Sequence, residues 1–383
     1  MFEQANKEMK ARHIDNTMSN ITDPLIWILP LLLSGIGLIM IVSITSPWTM
    51  ENTGSAFSRG IRQLQGLGLG LISMLIIAII PTNFWKKAAG AFWVFAVIAA
   101  ALTLFPGIGV KVGGARRWID LGPVRFQPLE ILTLAVVIEL AKSLSCSEKN
   151  GVSAFFSITA VILCVSVFPL VLQPNMGGTI LIFGLCMAIH VELKGWRMPL
   201  FLGTTLFPLF LWFIVQGGYR LRRYIAFIDP WKDPLSSGFQ VIQGLVAFAN
   251  GGISGVGIGN GLQKMNFLPA AHTDYILATL GEEFGLIGTL TVLCLFMLWT
   301  SRVFLLYVKA TEPFQAALIW GIAISVLFPF FINVGGVLKM IPLTGIPLPF
   351  MSFGSSAMIV MWMKIGILLR LHKEIRFSGS KAV

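Results

Sequence analysis

The sequence predicts an all-α polytopic membrane protein of about ten transmembrane helices, with one large extracytoplasmic loop between spans 7 and 8. Three observations predict it. Of 383 residues, 56% are hydrophobic and only 12% charged, whereas soluble domains carry about 25% charged residues. Apolar runs of about 20 residues, the length that crosses a hydrocarbon core, recur along the chain. The basic residues follow the alternation that such spans impose.

The runs fall at 25–46, 64–81, 88–106, 128–145, 152–172, 177–193, 198–217, 274–307, 314–334 and 350–371. The eighth is long enough to tilt or project. Residues 1–24 form a polar tail, 25–371 the membrane domain and 372–383 a second tail. The run from Leu25 is not followed by a small-residue cleavage site, so the first span reads as an uncleaved anchor. An even count puts both termini on one side. With the N-terminus inside, each short inner loop holds two basic residues: Lys86 and Lys87, Lys142 and Lys149, Lys194 and Arg197, Arg302 and Lys309. That satisfies the positive-inside rule and makes both termini cytoplasmic. The net charge of +11 is then partly topological, and nucleic acid need not be invoked.

The cysteines build no disulfide framework. Cys164, Cys186 and Cys294 lie in apolar runs and Cys146 just past one, as small membrane residues do. No zinc spacing and no Walker or Rossmann glycine pattern is present, so neither ATP nor a dinucleotide is implied.

Positive charge on the outer side opposes easy insertion and asks for a reason. Lys111, Arg116, Arg117 and Arg125 fall between spans 3 and 4; Arg220, Arg222, Arg223, Lys232 and Lys264 fall between spans 7 and 8. Clustered arginine suits phosphate or carboxylate. Contact with lipid headgroups is the alternative. Trp118, next to Arg117, reads as an interfacial anchor.

Residues 218–273 form the one large loop, a length that is usually functional or disordered. "FQVIQGLVAFANGG" (239–252) reads as a short interfacial helix. The glycines of "GISGVGIGNG" (252–261) allow tight turns or close approach to a ligand, although an ordinary connector has the same composition.

The loop ends in "LPAAHTDYILATLGEEFG" (268–285). Asp274 reads as the start of a helix, where an N-cap would suit it. On that helix Glu282 and Glu283 lie roughly 12 to 14 Å deeper and cannot pair with it. They, and Glu130 at the head of span 4, read as buried charges paired with Arg or Lys of other helices. Asp274 is left at the interface beside the cations. A carboxylate next to outward-facing cations suits an anionic, lipid-borne substrate such as a lipid diphosphate. The cations would hold the diphosphate as leaving group, and the carboxylate would take a proton from an attacking hydroxyl. Mg²⁺ or Mn²⁺ bridging the diphosphate is compatible but not firmly implied. His272 reads as orienting Asp274 or the substrate. "PLTGIPLP" (342–349) and "MSFGSSAM" (351–358) read as an irregular re-entrant segment walling a cavity, with Ser352, Ser355 or Ser356 as donors.

Five segments occur in order: "GGARRWIDLGPVRFQPLE" (113–130), "QPNMGG" (173–178), "YRLRRYIAFIDPWKDPLSSGFQVIQ" (219–243), "LPAAHTDYILATLGEEFG" and "PLTGIPLPFMSFGSS" (342–356). Together they resemble the FtsW/RodA/SpoVE family, the SEDS proteins of shape, elongation, division and sporulation. The resemblance covers nearly the whole chain from residue 25. It implies a ten-span peptidoglycan glycosyltransferase that polymerises lipid II outside the bacterial cytoplasmic membrane, with inversion at the anomeric carbon. It also implies a class B penicillin-binding protein as partner, with other division or elongation proteins. In the family the aspartate of "HTD" is required for polymerisation, and that position is Asp274. Gln127, in the first segment, joins Lys111, Arg116, Arg117, Trp118, Arg220, Arg223, Lys264, His272, Ser352 and Ser355 as a candidate substrate contact.

Two positions depart from the family pattern. Asn175 stands where the family has Asp, and Leu129 where it has Ser. "GARRW", "DPW" and "GFQVIQ" look like the division member and "TGIPLPF" like the elongation member, so division is favoured. Two other readings compete. A lipid II flippase would carry cations through the bundle, yet Lys364 alone lies within a span. A catalytically silent scaffold for the transpeptidase would tolerate Asn175 and Leu129.

Overall fold

The computed structural model describes residues 23–53, 55–112, 115–120, 125–146, 158–216, 218–265 and 267–381. The tail before residue 23, Lys149, and residues 152–157 at the head of the fifth span lie outside the described residues.

Ten long helices coincide with the ten apolar runs. They are α1 (Leu25–Thr53), α2 (Ser58–Ile79), α3 (Thr82–Leu102), α4 (Pro128–Cys146), α5 (Ile158–Leu172), α6 (Met176–Lys194), α7 (Arg197–Gln216), α10 (Ile276–Lys309), α11 (Pro313–Val337) and α12 (Ser355–Lys381). The helix is what such runs must form, because hydrocarbon offers backbone groups no partners. Seven of the ten are long and apolar enough to cross a membrane by length and composition alone. α12 runs on through most of the stretch that the sequence leaves as a tail.

α4 sits at the centre, packed by α3, α5, α6, α11 and α12. It is buried from Leu132 to Ala141, charged residues included. At the periphery, α2 and α3 expose Ile72, Leu75, Ile79, Phe84 and Phe95. On a polytopic protein these are lipid-facing positions, with no need of a protein partner.

The outer loops are more ordered than their composition suggests. Between α3 and α4 lies a feature that the helical reading does not foresee. It is a three-stranded antiparallel sheet of β1 (Gly109–Val112), β2 (Ala115–Asp120) and β3 (Arg125–Phe126). The loop 218–273 carries α8 (Gly218–Ile228), a 3₁₀ turn (Pro230–Lys232) and α9 (Phe239–Gly251). α9 is the short helix expected there, but it packs along α10. A β-carbon on Gly244 would lie 2.4 Å from the Tyr275 ring, so this glycine is what lets α9 approach.

α10 is not one straight helix. Gly285 breaks it, with φ 67° and ψ −162°. The glycine-rich segment after α9 fills the break. The Glu282 and Glu283 carbonyls, which lose their helical donors, accept from the Val256 and Gly257 N–H groups, both at 3.0 Å. The Leu286 and Ile287 N–H groups donate to the Gly252 and Ile253 carbonyls at 2.9 and 3.2 Å. Each lost helical bond is replaced, which is the condition for irregular backbone beside a membrane span. A β-carbon on Gly255 would lie 2.2 Å from the Glu283 carbonyl oxygen. Gly251, Gly255 and Gly261 thus serve close approach to the broken helix.

Candidate active site

Asp274 does not cap α10. The helix starts at Ile276 with Tyr275 in the cap position and no side-chain capping bond. Asp274 sits two residues before the helix, in a corner held by its own backbone. The His272 carbonyl accepts from the Phe353 N–H at 3.0 Å. The Thr273 carbonyl accepts from the Ser352 hydroxyl at 2.6 Å. The Asp274 carbonyl accepts from Asn333 Nδ2 at 2.9 Å, and the same amide nitrogen reaches the Ile346 carbonyl at 2.9 Å. Three successive carbonyls are thus tied to α11 and to the segment before α12, which leaves the Asp274 side chain to face the site.

Arg223, on α8, is the cation beside it. A β-carbon on Gly345 would be 3.4 Å from Asp274 Oδ2 and 3.8 Å from Arg223 Nη1. The two groups therefore flank that glycine, whose φ of +76° is a backbone conformation that glycine adopts at little cost. Arg223 Nη1 also donates to the Leu343 carbonyl at 3.2 Å. Burial pushes the Asp274 carboxyl up from its ordinary range; Arg223, and a hydrogen bond from Thr273, pull the other way. Burial likewise raises the Tyr275 phenol, and Asp274 adds to that.

His272 is held between Arg59 and Phe353. Arg59 Nη1 lies 3.0 Å from His272 Nε2, and the imidazole meets the Phe353 ring edge to face at 5.7 Å between centroids. Burial, helped by the Arg59 charge, lowers His272 to about 4. The ring is uncharged at neutral pH, so it is no cation for a diphosphate.

The other expected contacts separate into groups. Lys111 and Arg116 face each other across β1 and β2, while Trp118 pairs with Val110 beyond a shift in the register. None of the three makes a described contact with Asp274 or Arg223. Arg117, between Arg116 and Trp118 at the register shift, donates to the Pro174 carbonyl at 2.6 Å. The Gln127 N–H donates to the Ser356 hydroxyl, which in turn donates to the Arg125 carbonyl. The side chain of Arg220 lies outside the described residues.

Several expectations need correction. Lys264 is no surface cation: it is buried, and its ammonium is 2.9 Å from Glu283 Oε1 and 3.1 Å from Ser43 Oγ. Glu282 has no described ion pair; it accepts from the Leu262 and Gln263 N–H groups, both at 3.1 Å, and from Asn250 Nδ2 at 3.3 Å. Ser352 is buried and spends its hydroxyl within the fold: besides donating to Thr273, it accepts from the Leu348 N–H at 2.8 Å. Ser355 donates to the Arg62 carbonyl. Glu283 pairs with a loop lysine rather than a helical one. Glu130 interacts electrostatically with Lys364 of α12.

Asn333, Arg59 and Gly345 escaped the sequence reading. Asn333 is a lone amide in an apolar run, a signal that was available. Arg59 stands at the outer head of the second span. Nothing in the sequence marks Gly345 as the spacer between Asp274 and Arg223.

The two departures turn out to be neighbours. Asn175 caps α6, its Oδ1 accepting from the Gly178 N–H at 3.2 Å. A β-carbon on Gly178 would meet Asn175 Nδ2 and Leu129 Cδ2, each at 2.9 Å. The cap survives the loss of charge. The buried Nδ2, facing an apolar residue, has no hydrogen-bond partner among the described residues.

The family model for the FtsW/RodA/SpoVE cell cycle proteins matches residues 23–376. The chain belongs to that family. It is 34% identical over 373 residues to the stage V sporulation protein E of Bacillus subtilis, covering 94% of this chain and all of that one. It is 36% identical over 360 residues to a protein of Haemophilus influenzae named probable peptidoglycan glycosyltransferase FtsW, covering 92% of this chain and 90% of that one. Among solved structures, a chain from work on a peptidoglycan synthase complex that coordinates polymerization and crosslinking superposes with a TM-score of 0.74 at 27% identity, covering 91% of this chain and 98% of that one. The rod shape determining protein RodA of Thermus thermophilus shares the fold, with a TM-score of 0.68 at 23% identity over 92% and 97% of the two chains. The protein is a multi-pass membrane protein of this family.

Proposed function

We infer that the protein is a peptidoglycan glycosyltransferase, the activity for which its FtsW relatives are named, and that it polymerises lipid II at the outer face of the bacterial cytoplasmic membrane. The observation that carries the chemistry is the pinned corner at 272–274, which presents Asp274 to Arg223 across Gly345. Asp274 accepts the proton of the sugar 4-hydroxyl as its oxygen attacks the anomeric carbon of the second chain. Undecaprenyl diphosphate departs from the opposite face, so the configuration inverts. The leaving group needs cations rather than a second carboxylate, unlike a glycosidase pair. Arg223 stabilises the charge that develops on it. A raised carboxyl is the better proton acceptor, and Arg223 favours its ionised form.

Among the described residues no group of three or more His, Cys, Asp or Glu could hold a metal. A Mg²⁺ or Mn²⁺ at the diphosphate would have Asp274 as its protein carboxylate and take its other ligands from phosphate and water. Both termini are taken as cytoplasmic, and a class B penicillin-binding protein is the proposed partner, working with other division or elongation proteins. Similarity to a chain of a polymerizing and crosslinking complex supports that partner. The test is polymerisation of lipid II by the purified protein, with and without its transpeptidase. Moenomycin-insensitive glycan strands are expected; their absence under both conditions would contradict the reading.

A further inference from the structure

Arg223 also lines a cleft that the mechanism has not used. Arg223, Lys339 and Gln240 supply its polar wall; Phe227, Ile341 and Leu343 supply much of its apolar wall. It lies between α8, α9 and the turn after α11. Two cations facing an apolar wall suit an anion carried on a lipid better than a free anion.

Lys339 is the residue that needs explaining. Its backbone is left-handed, with φ +57°, a conformation that glycine takes at little cost and a residue with a β-carbon does not. Its ammonium has no hydrogen-bond or ion-pair partner among the described residues. Ser237, on the cleft wall, is itself engaged: its N–H donates to Asp233 at 3.0 Å and its hydroxyl at 2.9 Å. A strained, unpaired cation in a cleft is an outlier from which function can be argued.

We propose that this cleft seats the diphosphate of the sugar-donor lipid, and that Lys339 is a further substrate-binding residue. The proposal rests on Asp274 as the base. The acceptor hydroxyl lies at Asp274, so the donor's anomeric carbon lies just beyond it and the diphosphate beyond that. Arg223 flanks Asp274 and also lines the cleft, which places it at the phosphate that bonds the sugar. Lys339, further along, meets the second phosphate, and the apolar wall takes the first carbons of the lipid. Two cations match the two phosphates of a leaving diphosphate.

Lys339→Gly separates binding from structure, because it relieves the left-handed backbone while removing the charge. The full-length protein in phosphatidylcholine nanodiscs is titrated with farnesyl diphosphate as a short isoprenyl diphosphate. Lys339→Gly is expected to melt no lower than wild type, to bind the probe about tenfold more weakly, and to raise KM for lipid II more than it lowers kcat. Lys339→Arg is expected to restore most of the binding. Adding phosphatidylglycerol to the nanodiscs is expected to leave probe binding unchanged. Unaltered probe affinity in Lys339→Gly overturns the proposal. So does competition by phosphatidylglycerol that depends on Lys339, which would make the cleft a headgroup contact. Asp274→Asn, run alongside, should bind the probe without polymerising. Polymerisation by that variant would defeat the base assignment and leave the binding result to stand or fall separately.

Discussion

Acids stand at two places, one within α10 and one just before it, and they are treated in opposite ways. At the Gly285 break, Glu282 and Glu283 are enclosed, and the fold supplies their partners: backbone N–H groups and Asn250 for one, Lys264 and Ser43 for the other. At the outer corner the order is inverted. The carbonyls of residues 272–274 are all engaged, while the Asp274 carboxylate is flanked by Arg223 and takes a hydrogen bond from Thr273. The enclosed acids hold a broken helix to its loop. The corner acid is held so that its charge remains for something else. A buried acid reads as structural when the protein completes its partners, and as functional when the protein rigidifies everything around it except the carboxylate.

The largest effect should come from breaking the enclosed side. Lys264→Met leaves Glu283 charged and buried, which should cost about 3–5 kcal/mol, read as a lower Tm in detergent. Adding Glu283→Leu should recover most of that loss, because removing both charges removes the uncompensated one. A single variant that melts like wild type would mean that the pair holds nothing.

A smaller effect separates the open side. Arg223→Ala should leave Tm nearly unchanged and lower kcat/KM for lipid II by about 10-fold or more. A large loss of Tm instead would make Arg223 another structural cation.

The smallest effect sharpens the comparison through pH. A base works ionised, so polymerisation should fall as pH drops through the Asp274 titration. Burial raises that carboxyl, so the acid limb should lie above the ordinary carboxylate range. Arg223 lowers it, so Arg223→Ala should move the limb to still higher pH. A limb that moves down, or stays, would remove the electrostatic link between the two residues.

Much of this was legible before the structure. The ten runs became ten helices because apolar length alone dictates a span, and Asp274 was marked by elimination, as the outermost acid beside the basic loops. What was not legible depends on contacts between distant segments. The helix break at Gly285 is invisible because its replacement partners lie 30 or so residues earlier, in a stretch whose glycines also fit a plain connector. Lys264 looked like its basic neighbours because composition cannot say that Glu283 and Ser43 converge on it. The sheet at 109–126 was missed because its strands are short and interrupted by glycine, and the expected capping role of Asp274 failed because the helix begins two residues later.

The central claim is that Asp274 is the base of glycosyl transfer, and Asp274→Asn tests it most directly. The amide keeps the size and removes the basicity. Burial raises the folded carboxyl above its unfolded value, so its ionised form costs stability once pH exceeds the unfolded value. The variant should therefore melt no lower than wild type at neutral pH. It should bind lipid II and lose polymerisation by about 10²–10⁴-fold, measured as glycan strands formed by the purified protein with its transpeptidase. Polymerisation near the wild-type rate by a folded Asp274→Asn protein would contradict the account.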